Sequence, residues 1–228
     1  MHTGIKATLV FLVGLLLVGC QPASPPITPP VINGTLSPGE WDAARKESFR
    51  TGHPLYLMTD GEYLYVGIHS NYAGTLTGNV FIQDGDRISV LHSSAALGTA
   101  IYEKRDGSWY VVQPFTWQCR DFSDAPEAVA ERAAFLEKDG WLGSIGPQGT
   151  LEELEFQIKL PREPVRLVVW FDSQEMRDVP IIWPPGTMDF FSEIPHGDPL
   201  SPFDFTPDDW AEVRITRDGR VELSLPEE

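Results

Sequence analysis

The stretch Leu55-Tyr56-Leu57-Met58-Thr59-Asp60-Gly61-Glu62-Tyr63-Leu64-Tyr65-Val66 decides the fold class. Two runs of alternating side chains, rich in aromatic and aliphatic residues, flank Asp60-Gly61, a pair that tolerates the positive φ of a tight hairpin turn. A two-residue loop there sets Leu57 opposite Leu64 and Leu55 opposite Val66, so both strands turn their aliphatic residues to one face. Tyr56 and Tyr65 then meet on the other face.

The same punctuation recurs downstream. Asp106-Gly107 separates residues 101–105 from 108–112 and sets Tyr102 against Val111 and Ile101 against Val112. Near the end, a three-residue loop over 217–219, with Gly219 left-handed, sets Ile215 against Val221 and Val213 against Leu223. Further strands are expected over 79–83, 87–92, 154–160 and 165–171. In the third of these, Phe156, Ile158 and Leu160 alternate with Glu155, Gln157 and Lys159, which predicts one buried and one wet face.

One helix interrupts the strands, expected over 124–138. Asp124 and Glu127 have capping-box spacing, Val129, Ala133 and Leu136 mark an apolar stripe, and Gly140 can end the helix. A single helix among eight or more strands gives no βαβ rhythm. The expected fold is therefore all-β, an antiparallel β-sandwich of jelly-roll type with one inserted α-helix.

Outside this domain the chain reads as an address and a tether. Residues 1–19 carry Lys6 and an apolar run from Ala7 to Val18, short for a membrane span, and end in Leu17-Val18-Gly19-Cys20. That ending resembles the lipobox of bacterial lipoproteins, which implies cleavage before Cys20, acylation of its thiol and a membrane-lipid anchor. Gln21 after the cysteine implies the outer membrane in a Gram-negative host. Residues 20–30 are proline-rich and form an extended stalk, leaving 31–228 as one domain. Removal of the leader leaves Cys119 as the only free thiol, set among apolar neighbours and read as a buried residue rather than a nucleophile.

Composition narrows the function. The 228 residues hold 17 Lys and Arg against 33 Asp and Glu, a net charge of −16, which excludes a general nucleic-acid binder. No histidine pattern, glycine-rich phosphate loop or nucleophile elbow names a reaction, so a non-catalytic role is expected.

The segment Val31-Ile32-Asn33-Gly34-Thr35-Leu36-Ser37-Pro38-Gly39-Glu40-Trp41-Asp42-Ala43-Ala44 resembles the first strand and turn of family 9 carbohydrate-binding-module-like, or DOMON-like, sandwiches. Residues 60–68 and 154–160 resemble later strands of the same fold, and Trp170 lies near the strand that follows. The resemblance implies an exported sandwich, often with a structural calcium and sometimes with a sugar held between aromatic rings, while some relatives hold haem. Trp41 is then a packing residue and Glu40 holds a turn. No cofactor is required by this reading, and calcium is the one metal it suggests.

Seven tryptophans stand at 41, 109, 117, 141, 170, 183 and 210. Flat rings suit pyranose faces, with polar neighbours for the hydroxyls. The candidate ligand residues are Trp117 with Arg120 and Asp121, and Trp183 at the head of a proline-rich loop. Residues 172–209 carry nine acidic side chains against Arg177 alone and are expected to form a long surface connection. The expected partner is a saccharide; the alternative is an envelope protein docked on a scaffold lipoprotein.

Overall fold

The computed structural model describes residues 28–70, 75–147, 151, 153–161, 163–173, 181–187, 202–216 and 219–226. Cys20, the leader and most of the stalk lie outside the described residues, as does much of the acidic connection. In chain order the elements are β1 (Arg45–Ser48), β2 (Pro54–Thr59), β3 (Tyr63–His69), β4 (Thr75–Asp84), β5 (Arg87–Ser93), β6 (Leu97–Arg105), β7 (Ser108–Gln118), α1 (Pro126–Asp139), β8 (Trp141–Gly143), β9 (Glu153–Lys159), β10 (Val165–Ser173), β11 (Ile181–Trp183), β12 (Ala211–Ile215) and β13 (Val221–Ser224).

The strands form two antiparallel sheets. The smaller runs β1-β2-β3-β9-β8; the larger runs β13-β12-β10-β4-β5-β6-β7, with β11 also paired to β10. Leu55, Leu57, Leu64, Val66, Phe156 and Ile158 of the smaller sheet share one core with Val80, Ile82, Leu91, Leu97, Leu167 and Val169 of the larger. Burial of these alternating faces is the main driving force for the sandwich, at about 1.5–3 kcal/mol for each large aliphatic side chain. The all-β sandwich with one helix is the fold that the sequence pattern predicts.

Registers depend on the turns. Ile215 faces Val221 and Val213 faces Leu223, with Gly219 at φ 72°, as the three-residue loop requires. Asp106 and Gly107 both have positive φ, and Tyr102 faces Val111 as expected, but a bulge then sets Ile101 against Gln113 rather than Val112. The opening hairpin has a wider loop than Asp60-Gly61 predicts. Asp60 Oδ1 accepts from the backbone N–H groups of both Glu62 and Tyr63 at 2.9 Å, so pairing begins at Thr59 and Leu64. Leu57 therefore faces Val66 and Leu55 faces Ile68. The shift is two residues, so the aliphatic side chains still point into the core. Tyr65 meets Met58 instead of Tyr56.

The helix begins two residues later than its capping-box spacing predicts. Ala125 is the N-cap and Pro126 opens the first turn, without a side-chain cap from Asp124. Its buried face is Ala128 and Phe135, while Val129 and Ala133 are exposed. Phe135 sets this rotation by packing edge-on to Trp141 at 5.2 Å. Gly140 ends the helix in the left-handed conformation, as expected.

Two covers complete the molecule. Ile32, Leu36 and Trp41 lie over the outer face of the smaller sheet with Met58 and Tyr65. Gly67 makes this approach feasible, because a Cβ there would stand 2.9 Å from Leu36 and 3.0 Å from Trp41. On the other side, Phe205 and Trp210 cover Phe81, Tyr102 and Trp109 of the larger sheet. The stretch expected to be a surface connection is thus partly interior: Ile181 and Trp183 enter the central core, and Phe205 joins Trp210, just beyond the stretch, in sealing an outer layer. Their aromatic bulk outweighs the acidic residues interspersed with them.

Candidate functional site

Six of the seven tryptophans are buried, leaving Trp117 as the exposed one at 40%. Trp183 is 0% exposed on β11, between the sheets, and presents no ring face to a ligand. The candidate pair Trp117 and Trp183 is therefore not one patch. The reason is sheet pairing: β11 adds to β10 with Trp183 facing Val169, an inward position that the proline-rich sequence after it does not reveal.

Trp117 stacks on Phe115, with centroids 5.2 Å apart and planes 11° apart. Both rings lie over Gly98 of β6. A Cβ at Gly98 would stand 2.7 Å from the Trp117 ring and 3.2 Å from Phe115, so this glycine is the floor on which the pair rests. His92 of β5 meets Trp117 edge-on at 5.0 Å and Phe115 at 5.7 Å. Its Nδ1 lies 2.8 Å from Asn79 Oδ1 and its Nε2 lies 3.0 Å from Ser94 Oγ.

The pairing explains this convergence. Asn79 faces His92, His92 faces Gly98 and Gly98 faces Trp117, so one row across β4, β5, β6 and β7 places all four on the outer face of the larger sheet. The result is an accessible aromatic platform beside a hydrogen-bonded polar pair. Asn79 was absent from the sequence candidates because its strand reads as a packing element, and His92, at a strand end, reads as a surface residue although it is buried. The signal that could have found them is the polar interruption of otherwise apolar strands.

Arg120 and Asp121 lie past a kink at Cys119, whose φ is 52°. Both are exposed. Asp121 Oδ1 accepts from Ser123 N at 2.9 Å, and Ser123 hydrogen bonding holds this carboxyl below its ordinary range, so Asp121 serves the turn into α1. Cys119 is buried, and burial pushes its thiol up to about 11, which suits a structural residue.

The other outer face holds a second polar arrangement. Glu155, read from sequence as a wet residue, is 0% exposed: the covering segment lies over it, and its Oε2 accepts from Asn33 N at 2.8 Å and Gly34 N at 2.7 Å. Burial pushes its carboxyl up to about 7, against the pull of those donors and with the Glu40 charge adding to the rise. Glu155 Oε1 and Glu40 Oε2 are both shielded without a hydrogen-bond partner. Trp41 packs at 5% exposure, and Glu40 N donates to Ser37 O in the turn. His69 is on this side, 2.6 Å from Glu153 Oε1, whereas His92 is on the opposite outer face.

Among the described residues no three His, Cys, Asp or Glu side chains are grouped to hold a metal. Nor is any helix among them long and apolar enough to cross a membrane. Comparison with known proteins finds no matching family model, no matching curated protein and no matching solved structure.

Proposed function

We propose that the protein is a non-catalytic saccharide-binding sandwich, held at an envelope membrane by acylated Cys20. The observation that carries the binding reading is the exposed Trp117 ring stacked on Phe115 beside the polar pair Asn79 and His92. A pyranose face packs on the exposed indole, whose edge is held by buried His92. The lipobox ending at Cys20 and the proline-rich stalk supply the location.

A glycan array followed by calorimetry on the full-length protein tests the site. Binding is expected to fall about tenfold or more on Trp117→Ala, since loss of a stacking ring removes at least ~1.4 kcal/mol. Affinity is expected to change little with salt, because neutral sugars offer no ion pair to screen. Unchanged affinity in Trp117→Ala, or no binding across broad saccharide classes, rejects the reading. Lipidation is tested separately: Cys20→Ala is expected to abolish detergent partitioning and the acyl mass increment. A wild-type product cleaved elsewhere and found free of membrane overturns it.

A second reading, a scaffold for an envelope protein, has one observation in its favour. Phe122 at 53% and Val129 at 47% are also exposed, on the stretch leading into and along α1. That reading predicts that Phe122→Ser weakens partner binding while Trp117→Ala does not.

A further inference from the structure

A cavity of about 150 Å³ opens between the two sheets near the β4–β5 hairpin, on the inner side of the larger sheet rather than the outer face that carries Trp117. Ile82 and Leu91 wall it on one side, and Trp141, Ile158 and Leu160 wall it on the other. Strand alternation places Asp84 on the face of Ile82, and Arg87 and Ser89 on the face of Leu91, so all three line this space. Ser89 accounts for the opening. It is paired with Ile82 in a row that is otherwise well filled, and its small side chain leaves volume that a leucine would occupy.

The mouth carries charge that the fold leaves unmatched. Arg87 is exposed and has no ion-pair partner among the described residues. Lys159, the other lining cation, is engaged elsewhere, with its Nζ 3.3 Å from Glu62 Oε1 and 5.9 Å from the centre of the Tyr63 ring. On the smaller-sheet side, Asp139 is the last residue of α1, where the carbonyl end of the helix disfavours a carboxylate. Its Oδ2 is shielded without a hydrogen-bond partner, with Lys138 Nζ 3.6 Å away, while the side chain as a whole is 17% exposed.

We infer that this cavity binds a free α-amino acid with an apolar side chain, at a site separate from the saccharide platform. A space of this volume holds a group the size of a benzene ring or an isobutyl chain. The apolar walls take the side chain. At the mouth the Arg87 guanidinium pairs with the ligand carboxylate, and the Asp139 carboxylate pairs with its ammonium. Asp84, opposite Arg87 across the hairpin, adds a second acceptor for the ammonium. A fatty anion would answer Arg87 but meet two carboxylates, and an alkylammonium would answer those but leave Arg87 unmatched. An amino acid carries both charges beside one apolar chain. Incorporation into a peptide removes one of them.

Calorimetry on the full-length protein compares L-leucine with 3-methylbutylamine, which lacks its carboxylate, and 4-methylpentanoate, which lacks its ammonium. Leucine is expected to bind at least about tenfold tighter than either, since each analogue loses one charge-assisted contact. Arg87→Gln is expected to weaken leucine binding about tenfold and to leave the amine within about twofold. Asp139→Asn is expected to weaken leucine to a similar degree and to leave 4-methylpentanoate within about twofold. Ser89→Leu, which fills the cavity, is expected to abolish binding of all three, whereas Trp117→Ala leaves leucine affinity unchanged. Near-ultraviolet circular dichroism confirms that each variant is folded, and Arg87→Gln, at an exposed position, carries the test if Ser89→Leu or Asp139→Asn does not fold. Equal affinity for leucine and either analogue overturns the amino-acid assignment, as does leucine binding that Arg87→Gln leaves unchanged. No binding of leucine, isoleucine or phenylalanine overturns the site.

Discussion

Trp183→Ala is expected to lower the unfolding free energy by about 3–5 kcal/mol and to leave saccharide affinity of the folded fraction unchanged. Trp183 is fully buried, and its ring sits in the central core with Phe171, Val169 and Ile181. Truncation to a methyl group removes its transfer energy and leaves a cavity that the surrounding strands can fill only in part. Urea unfolding gives the stability change, and calorimetry at low denaturant gives the affinity. Trp183→Phe, which retains most of the volume, should lose less and permits the affinity measurement if the alanine variant is too unstable. Lost sugar binding with undiminished stability would place this ring in the ligand site after all.

The second large effect is a dependence of stability on pH that one substitution removes. Glu155 has a carboxyl raised from 4.5 to about 7 by burial, with Glu40 contributing. Because the folded state holds this proton more tightly than the unfolded chain, the unfolded state binds fewer protons between those two values, and stability falls as pH rises through them. The contribution amounts to about 3 kcal/mol across the window from pH 4.5 to about 7. A proton on Glu155 removes the charge that burial penalises and supplies a donor where its Oε1 and Glu40 Oε2 otherwise have none. Glu155→Gln is a neutral mimic: its amide oxygen can still accept from Asn33 and Gly34, and its amide nitrogen is a donor at the other position. The variant is expected to show a decline between about pH 5 and about pH 8 that is smaller by about 3 kcal/mol, measured by urea unfolding at both values. Identical pH profiles for the two proteins would sink this account.

Elements whose conformation is settled locally were readable in the sequence. Gly219 and its neighbours specify a three-residue loop, and the alternation of Val213, Ile215, Val221 and Leu223 agrees with it, so the register follows. The opening hairpin shows the limit of that reasoning. Asp60-Gly61 identifies the turn, but the carboxylate of Asp60 captures two backbone donors and lengthens the loop, a choice between hydrogen bonds that the dipeptide does not announce. The faces survived because the slip was even. For the helix, spacing located the segment and its glycine stop, while the buried face was set by Trp141, which follows the helix and packs on Phe135.

The candidate site divides along the same line. An excess of tryptophan is legible in composition, and Trp117 could be named among the rings worth testing. Exposure is a property of what packs against a ring: Trp117 is lifted onto Gly98 by cross-strand pairing, and Trp183 is drawn inward by pairing with β10. Asn79 and His92 become neighbours across a strand pair. Glu155 is the extreme case, since the backbone groups that bury and bind it are 121 and 122 residues away in sequence.

By itself, then, the sequence determined what periodicity and turn chemistry control: an all-β sandwich, its main strands, one helix, and the terminal hairpin's register. The tertiary structure decided which tryptophan is open, which polar side chains share a face with it, and which carboxylate is taken out of water. The physical reason is range. Backbone preferences and side-chain alternation act over a few residues, whereas burial and cross-strand hydrogen bonding depend on which distant segments the sheets bring together.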